Sequence, residues 1–197
     1  MTRRTLVGAL VAVVLGPLGP AACSKARTAE QAHARLCKAV AAGDAAALFE
    51  ALDQQTRWDW MTVQKSHREA YDIILSNYPE GPDRERQLRR FERGATLGSG
   101  RALFVEEVGR AVLGDPAKLR DACAAGARIE AGADAHQATV VGPAGGRAPL
   151  LLGPKGTWGY AGFAEDADDR QKRALADVDQ VRRNAADYER AATRSAR

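Results

Sequence analysis

The feature that most limits the possible fold is a change of sequence pattern near residue 127. Before this point, apolar residues recur at helical spacing over long stretches. After it come short apolar segments, "ARIEA", "HQATVV", "RAPLLL" and "TWGYAGF", separated by the turn sequences "GAD", "GPAGG" and "GPKG". Segments bounded in this way are typical of an antiparallel meander, which predicts a sheet of about four short strands. Pro149 predicts that the third strand lies at an edge or begins there, because proline donates no backbone hydrogen bond.

Several helices are predicted before the sheet. Thr28, with Gln31 three residues later, forms a capping box, and Gly43 is a good end for this first helix. A longer helix is predicted between Thr56 and Pro79, where apolar residues follow helical spacing. Further helices are predicted over "GPDRERQLRRFERG", "GSGRALFVEEVGRAVLGD" and "DPAKLRDACAAG". The first of these is rich in arginine and is interpreted as a solvated helix face, with contact to anionic lipid headgroups as the alternative.

Residues 164–197 predict a long C-terminal amphipathic helix. Acidic residues crowd its start and arginines its end, which suits the helix dipole. One narrow apolar seam runs along it: Leu175, Val178, Val181, Ala185 and Tyr188. The seam is expected to dock on the sheet or to face a partner helix. The chain is therefore predicted to be α+β, with N-terminal helices and a small antiparallel sheet in one domain over residues 28–163, followed by this helix.

The first 22 residues have the three-part pattern of a secretory signal peptide. Arg3 and Arg4 form a short positive region, and residues 6–15 form an apolar run that is followed by "GPLGP". A transmembrane helix needs about 20 apolar residues, and this run is shorter. The pattern therefore predicts a cleaved signal peptide over residues 1–22.

The end of this signal resembles the lipobox of bacterial lipoproteins, because two alanines directly precede Cys23. The resemblance implies that Cys23 carries lipid and that residues 23–27 tether the domain to a membrane in the bacterial cell envelope, facing the periplasm. Ser24 implies the outer membrane. Pro20 stands where the family prefers a branched apolar residue. The alternative is ordinary cleavage near Ala22, which would release a soluble periplasmic or secreted protein.

The charge of the chain argues against a nucleic-acid partner. Cleavage before Cys23 would leave about 175 residues, which is enough for one domain with its own core. The full chain carries a formal charge of +4, and the signal holds two arginines and no acid. The remaining chain is nearly balanced, and an exported protein rarely meets nucleic acid. We expect the membrane, through the lipid, and either an envelope protein or a small apolar ligand as partners.

The three cysteines suggest one disulfide. If Cys23 is acylated, Cys37 and Cys123 remain, and in an oxidising envelope they are expected to pair. The alternative is two buried free thiols. The histidines and cysteines are not at the spacings of a metal site, so neither a metal nor another cofactor is expected.

The order of elements resembles the cone-shaped α+β fold named after nuclear transport factor two. The likeness covers about residues 28–163 and depends on a helical pair followed by a curved sheet, with "KGTWGYAGF" as a late aromatic strand. It implies a small apolar ligand between helices and sheet, or an isomerase or dehydratase activity. The C-terminal helix is not part of that pattern.

The best candidate for catalysis lies in "RWDW" and "HREAY". Asp59 can orient His67 as a general base, and Tyr71 shares a helix face with His67 because the two are four residues apart. In the alternative interpretation, the tryptophans anchor a helix start in the core, and His67 and Tyr71 form a surface pair. The candidate ligand contacts are aromatic: Trp58, Trp60, Tyr78 and Trp158.

These patterns favour a lipid-anchored, non-catalytic envelope domain that binds a partner protein or a small apolar ligand. The expectation rests on an export signal without a recognisable catalytic motif. One alternative is a small cone-fold enzyme that uses Asp59, His67 and Tyr71. Another is an envelope assembly scaffold that engages its partner through residues 165–197.

Overall fold

The computed structural model describes residues 25–195 and confirms the predicted α+β class. The signal peptide and Cys23 lie outside the described residues. The helices are α1 Ala29–Ala42, α2 Ala45–Ala51, α3 Gln54–Asn77, α4 Pro82–Thr96, α5 Gly100–Phe104, α6 Arg110–Gly114, α7 Ala117–Ala122 and α8 Ala164–Ser195. A π-helical turn, Val105–Gly109, joins α5 to α6. The strands are β1 Arg128–Ala131, β2 Gln137–Val141, β3 Arg147–Leu152 and β4 Trp158–Tyr160.

Local sequence signals explain where the first helices begin and end. Thr28 Oγ1 accepts a hydrogen bond from Gln31 N at 3.3 Å, as the capping box predicts. Gly43 ends α1 with φ +61°, a left-handed conformation that glycine adopts without strain. The third helix starts earlier than predicted. Asp53 caps it through hydrogen bonds to the amides of Gln55 and Thr56, so Thr56 lies within the helix.

The four strands form an antiparallel sheet in the order β1-β2-β3-β4. The expectation that Pro149 lies in an edge strand or begins its strand is wrong, because β3 starts at Arg147 and lies between β2 and β4. Pro149 O accepts a hydrogen bond from Ala161 N at 2.9 Å, so the proline nitrogen also faces the β4 side. Because β4 ends at Tyr160, the missing N–H lies just beyond the ladder and removes no hydrogen bond from it.

The outer edge of β4 is covered by two other segments. Trp158 N donates to Ala26 O at 2.9 Å, and Asp53 N donates to Tyr160 O at 3.0 Å. Gly159 allows this approach, because a Cβ atom there would overlap the Cα atom of Asp53. The N-terminal segment and the start of α3 therefore meet at β4.

The buried apolar residues form two cores. The first lies among α1, α2, α3, α5, α7, the start of α8 and the sheet, and its largest fully buried side chains are Leu36, Leu48, Leu52, Trp60, Leu103, Phe104, Val140 and Leu150. The second lies among α3, α4 and α8 and comprises Ala70, Ile74, Tyr78, Phe91, Val178, Val181 and Ala185. Each core therefore draws on residues far apart in the sequence, and α3 contributes to both.

The C-terminal helix docks on other helices of the same chain. It runs along α3, and Arg90 of α4 forms an ion pair with Asp177 at 2.7 Å. The prediction that its seam docks on the sheet is therefore wrong. Val178 and Val181 of the seam are buried, whereas Leu175 is 47% exposed and Ala174 is buried instead.

The arginines of α4 are neutralised by nearby carboxylates. The pairs are Arg84–Glu80, Arg86–Asp83, Arg89–Glu85, Arg90–Asp177 and Arg93–Glu106. This pairing favours the interpretation of α4 as a solvated face. Within residues 25–195, no helix has the length and apolar character needed to cross a membrane.

Candidate functional site

An open cleft lies between the start of α3 and the turn that joins β3 to β4. Its volume is about 460 Å³, within the range of small-molecule sites. Its apolar wall comprises Phe49, Leu52, Trp58, Met61 and Trp158, and residues 25–26 also line it. Two of the four predicted aromatic contacts, Trp58 and Trp158, therefore contribute to one site.

The rim of this cleft exposes large apolar side chains. Trp58 is 43% exposed, and Met61, one helical turn further along α3, is 42% exposed. Trp58 lies on the same helix as the fully buried Trp60 but points in another direction, since two residues correspond to about 200° of helical rotation. The exposed apolar rim suits a ligand or surface that covers it.

The cleft carries more positive than negative charge. Its charged lining residues are Lys25, Arg35, Arg57, Lys155 and Glu50. The carboxylate of Glu50 lies 3.5 Å from Arg57. Lys155 Nζ lies 5.7 Å from the centre of the Trp58 ring, a cation–π distance. No described carboxylate forms an ion pair with Lys25 or Lys155, so both ammonium groups can attract an anion.

Two buried donors in the cleft lining have no acceptor in the described part of the chain. They are Gln54 Nε2 and Arg57 Nε. Gln54 is only 7% exposed. The two residues are three apart on α3 and therefore share a helix face. An unpaired buried donor costs about 1–3 kcal/mol, and an oxygen acceptor within hydrogen-bond distance would remove this cost.

The other two predicted aromatic contacts lie outside the cleft. Trp60 is fully buried, and its ring stacks edge-on against Phe104 at 5.6 Å, with the guanidinium of Arg170 at 5.1 Å. Tyr78 lies in the second core, with its ring 4.9 Å from that of Tyr188. Both side chains therefore stabilise helix packing.

The structure does not bring the predicted catalytic residues together. Asp59, His67 and Tyr71 all lie on α3, and the separation of eight positions between the first two corresponds to about 12 Å along the helix axis. Asp59 accepts a hydrogen bond from Gln55 Nε2 at 2.8 Å, and burial raises the pKa of its carboxyl group. Burial lowers the pKa of His67, whose ring packs against Phe91 at 5.7 Å. Asp59 therefore cannot orient His67 directly.

The two cysteines in the described part of the chain form a disulfide. Cys37 of α1 is bonded to Cys123, directly after α7, with their Cα atoms 5.3 Å apart. His33, one turn before Cys37, places an imidazole nitrogen near both sulfurs, so that the three atoms lie within 4.8 Å of one another. The sequence spacings indicated no such grouping because Cys123 is 86 positions away from Cys37. The only local signal was the four-residue spacing of His33 and Cys37.

Comparison of this chain with protein-family models, curated proteins and solved structures finds no match. The likenesses to the lipobox and to the nuclear transport factor two fold therefore stay predictions. Lipidation of Cys23 also stays a prediction, because this residue lies outside the described part of the chain. The function of this chain is therefore inferred from the geometry and charge of the cleft.

Proposed function

We propose that this protein is a lipid-anchored, non-catalytic envelope domain that binds a small anionic amphiphile in the cleft. The observation that carries the proposal is the buried, unpaired Nε2 of Gln54 in a cleft that also contains Trp58 and Trp158. An apolar cleft with a few convergent polar groups is the usual form of a small-molecule site.

The lining of the cleft specifies the chemistry of the ligand. An apolar chain or ring system packs against the two tryptophans and Met61, while an anionic oxygen accepts hydrogen bonds from Gln54 and Arg57. Fatty-acid carboxylates and phosphate-bearing lipids both have this combination.

The position of the cleft favours a ligand that comes from a bilayer. Lys25, in the cleft lining, is two residues after Cys23. Two extended residues span about 7 Å, so a lipid on Cys23 would hold the cleft close to the membrane surface. Tryptophan and lysine at the rim are residue types that suit a membrane–water interface.

The alternatives have less structural support. The enzyme hypothesis required Asp59, His67 and Tyr71 to converge, and the length of α3 separates Asp59 from His67. The scaffold hypothesis required an available seam on α8, and Val178 and Val181 are covered by α3 and α4.

Calorimetric titration with dodecanoate tests the proposal. The full-length protein is reconstituted in phosphatidylcholine vesicles, with protein-free vesicles as the background. We expect saturable binding of one dodecanoate, and much weaker binding of dodecyltrimethylammonium, which has the same chain length and the opposite charge.

Variants locate the binding in the cleft. Trp158→Ala and Lys155→Glu should each weaken dodecanoate binding by about tenfold or more, the loss of about 1.4 kcal/mol. The matched control is Lys118→Glu, which makes the same charge change at an exposed position of α7 outside the cleft. Equal effects of the two lysine variants, or equal affinity for the two amphiphiles, would contradict the proposal.

A further inference from the structure

A second cluster of chemically reactive side chains lies where α1 meets the end of α7. His33, Cys37 and Cys123 are all half-buried, and one imidazole nitrogen and the two sulfurs lie within 4.8 Å of one another. None of the three lines the cleft. Among residues 25–195, this is the one group of at least three potential metal ligands of the histidine, cysteine or carboxylate type.

A hydrogen bond fixes the tautomer of the His33 imidazole. His33 Nε2 lies 2.8 Å from Ala122 O, so Nε2–H donates to this carbonyl and the lone pair resides on Nδ1. Metal-binding histidines usually donate their other ring N–H to a carboxylate or a backbone carbonyl in this way. This carbonyl belongs to Ala122, the residue before Cys123, so the hydrogen bond keeps the His33 ring close to the disulfide.

We propose that, after reduction of the disulfide, His33, Cys37 and Cys123 bind one copper(I) ion. An external dithiol supplies two electrons and two protons, breaks the S–S bond and itself becomes a disulfide. Copper(I) then displaces the two thiol protons to solvent, and Nδ1 of His33 supplies the third ligand. No electron moves in the binding step.

The ligand set suits copper(I). Soft thiolates select copper(I) and zinc, and imidazole binds both. A structural zinc site takes four protein ligands, whereas no fourth histidine, cysteine or carboxylate joins this group in the described part of the chain. Copper(I) accepts three ligands, so the set is complete for this ion.

Other contacts hold the site together when the disulfide is open. Leu119 and Ala122 of α7 are buried in the first core. Asp121 accepts hydrogen bonds from Ala144 N at 2.9 Å and from Gly146 N at 2.5 Å, which ties α7 to the turn between β2 and β3. Cys123 therefore stays close to α1 without the covalent bond.

A competition titration tests the site. The full-length protein in neutral detergent is reduced, separated from the reductant without oxygen, and titrated with copper(I) against a chromophoric copper(I) chelator. We expect one bound copper(I) per reduced chain, with thiolate-to-copper absorption in the ultraviolet. The oxidised protein should leave the copper with the chelator.

Matched variants separate this site from adventitious binding. His33→Ala should weaken copper(I) binding at least tenfold, while His136→Ala, which removes an exposed histidine, should leave it unchanged. Cys23→Ser removes the only other cysteine of the chain and should also leave it unchanged.

Three results would overturn the proposal. The first is equal copper(I) affinity of His33→Ala and the parent protein. The second is loss of far-ultraviolet circular dichroism on reduction, because the site requires the folded chain. The third is tighter binding of zinc(II) than of copper(I). Each is independent of amphiphile binding, because the cleft and this cluster share no residue.

Discussion

Replacing Gln54 with methionine should stabilise the ligand-free protein and weaken its ligand binding. Gln54 is buried at the start of α3, and its Nε2 has no acceptor among the described residues. Methionine keeps the length of the side chain and a similar helix propensity, but has no amide. The substitution therefore removes the unpaired donor while largely preserving the packing.

The expected changes have opposite signs. Because an unpaired buried donor costs about 1–3 kcal/mol, the free energy of unfolding of Gln54→Met should rise by about that amount. The thermal midpoint should rise by about 2–4 °C for each kcal/mol. Dodecanoate binding loses a hydrogen bond to a charged group, worth about 1.5–3 kcal/mol, so its affinity should fall by about ten- to a hundredfold.

Gln64 provides the matched control. It lies on the same helix and is also 7% exposed, but its Nε2 donates to Leu97 O at 2.9 Å. Gln64→Met leaves this carbonyl unpaired and should lower the free energy of unfolding by about 1–3 kcal/mol. It should leave dodecanoate binding unchanged, because Gln64 does not line the cleft.

Urea denaturation of both variants without ligand measures the free energy of unfolding, and calorimetry measures the affinity for dodecanoate. If Gln54→Met destabilises the protein as much as Gln64→Met does, the Gln54 amide stabilises the ligand-free protein, and the claim that it is unpaired is refuted. If Gln54→Met also binds dodecanoate with the parent affinity, the assignment of the ligand oxygen to this end of the cleft is refuted.

Three further predictions concern stability. Burial raises the pKa of the Asp59 carboxyl group, so the folded state binds its proton more tightly than the unfolded state does. The free energy of unfolding therefore falls as the pH rises from the ordinary carboxyl pKa through the raised value. Urea denaturation should show that Asp59→Asn stabilises the protein more at pH 7 than at pH 4. Gly159→Ala should destabilise by about 1–3 kcal/mol or more, because its Cβ would overlap the backbone of Asp53, whereas Gly114→Ala has open space and should not. Cys37→Ser should lower the free energy of unfolding by about 4 kcal/mol, since the disulfide closes a loop across 86 positions; an unchanged thermal midpoint would refute this.

The helices and strands could be predicted because their signals are local. The capping box at Thr28 and the glycine stop at Gly43 act within a few residues of the helix ends that they determine. The turn sequences likewise separate strands that pair with their neighbours along the chain. Even the error at Pro149 has a local origin, because proline is excluded only from strand positions whose backbone N–H would donate to a neighbouring strand.

The candidate site was predictable only in part. Trp58 and Trp158 were expected to contact a ligand, but so were Trp60 and Tyr78, which lie in the cores. Composition does not distinguish these positions, because what covers each face of α3 comes from distant segments. Phe104 and Arg170 cover Trp60, whereas the face with Trp58 stays open beside β4.

The sequence by itself determined the order and kind of the elements, because helical spacing, caps and turns depend on neighbouring residues. Only the tertiary structure decided that α8 docks on α3 and α4, that Gln54 is buried in a cationic cleft, and that His33 meets Cys123. Each of these depends on contacts between residues that are far apart in the chain. Packing selects such contacts from many that the local pattern permits equally well.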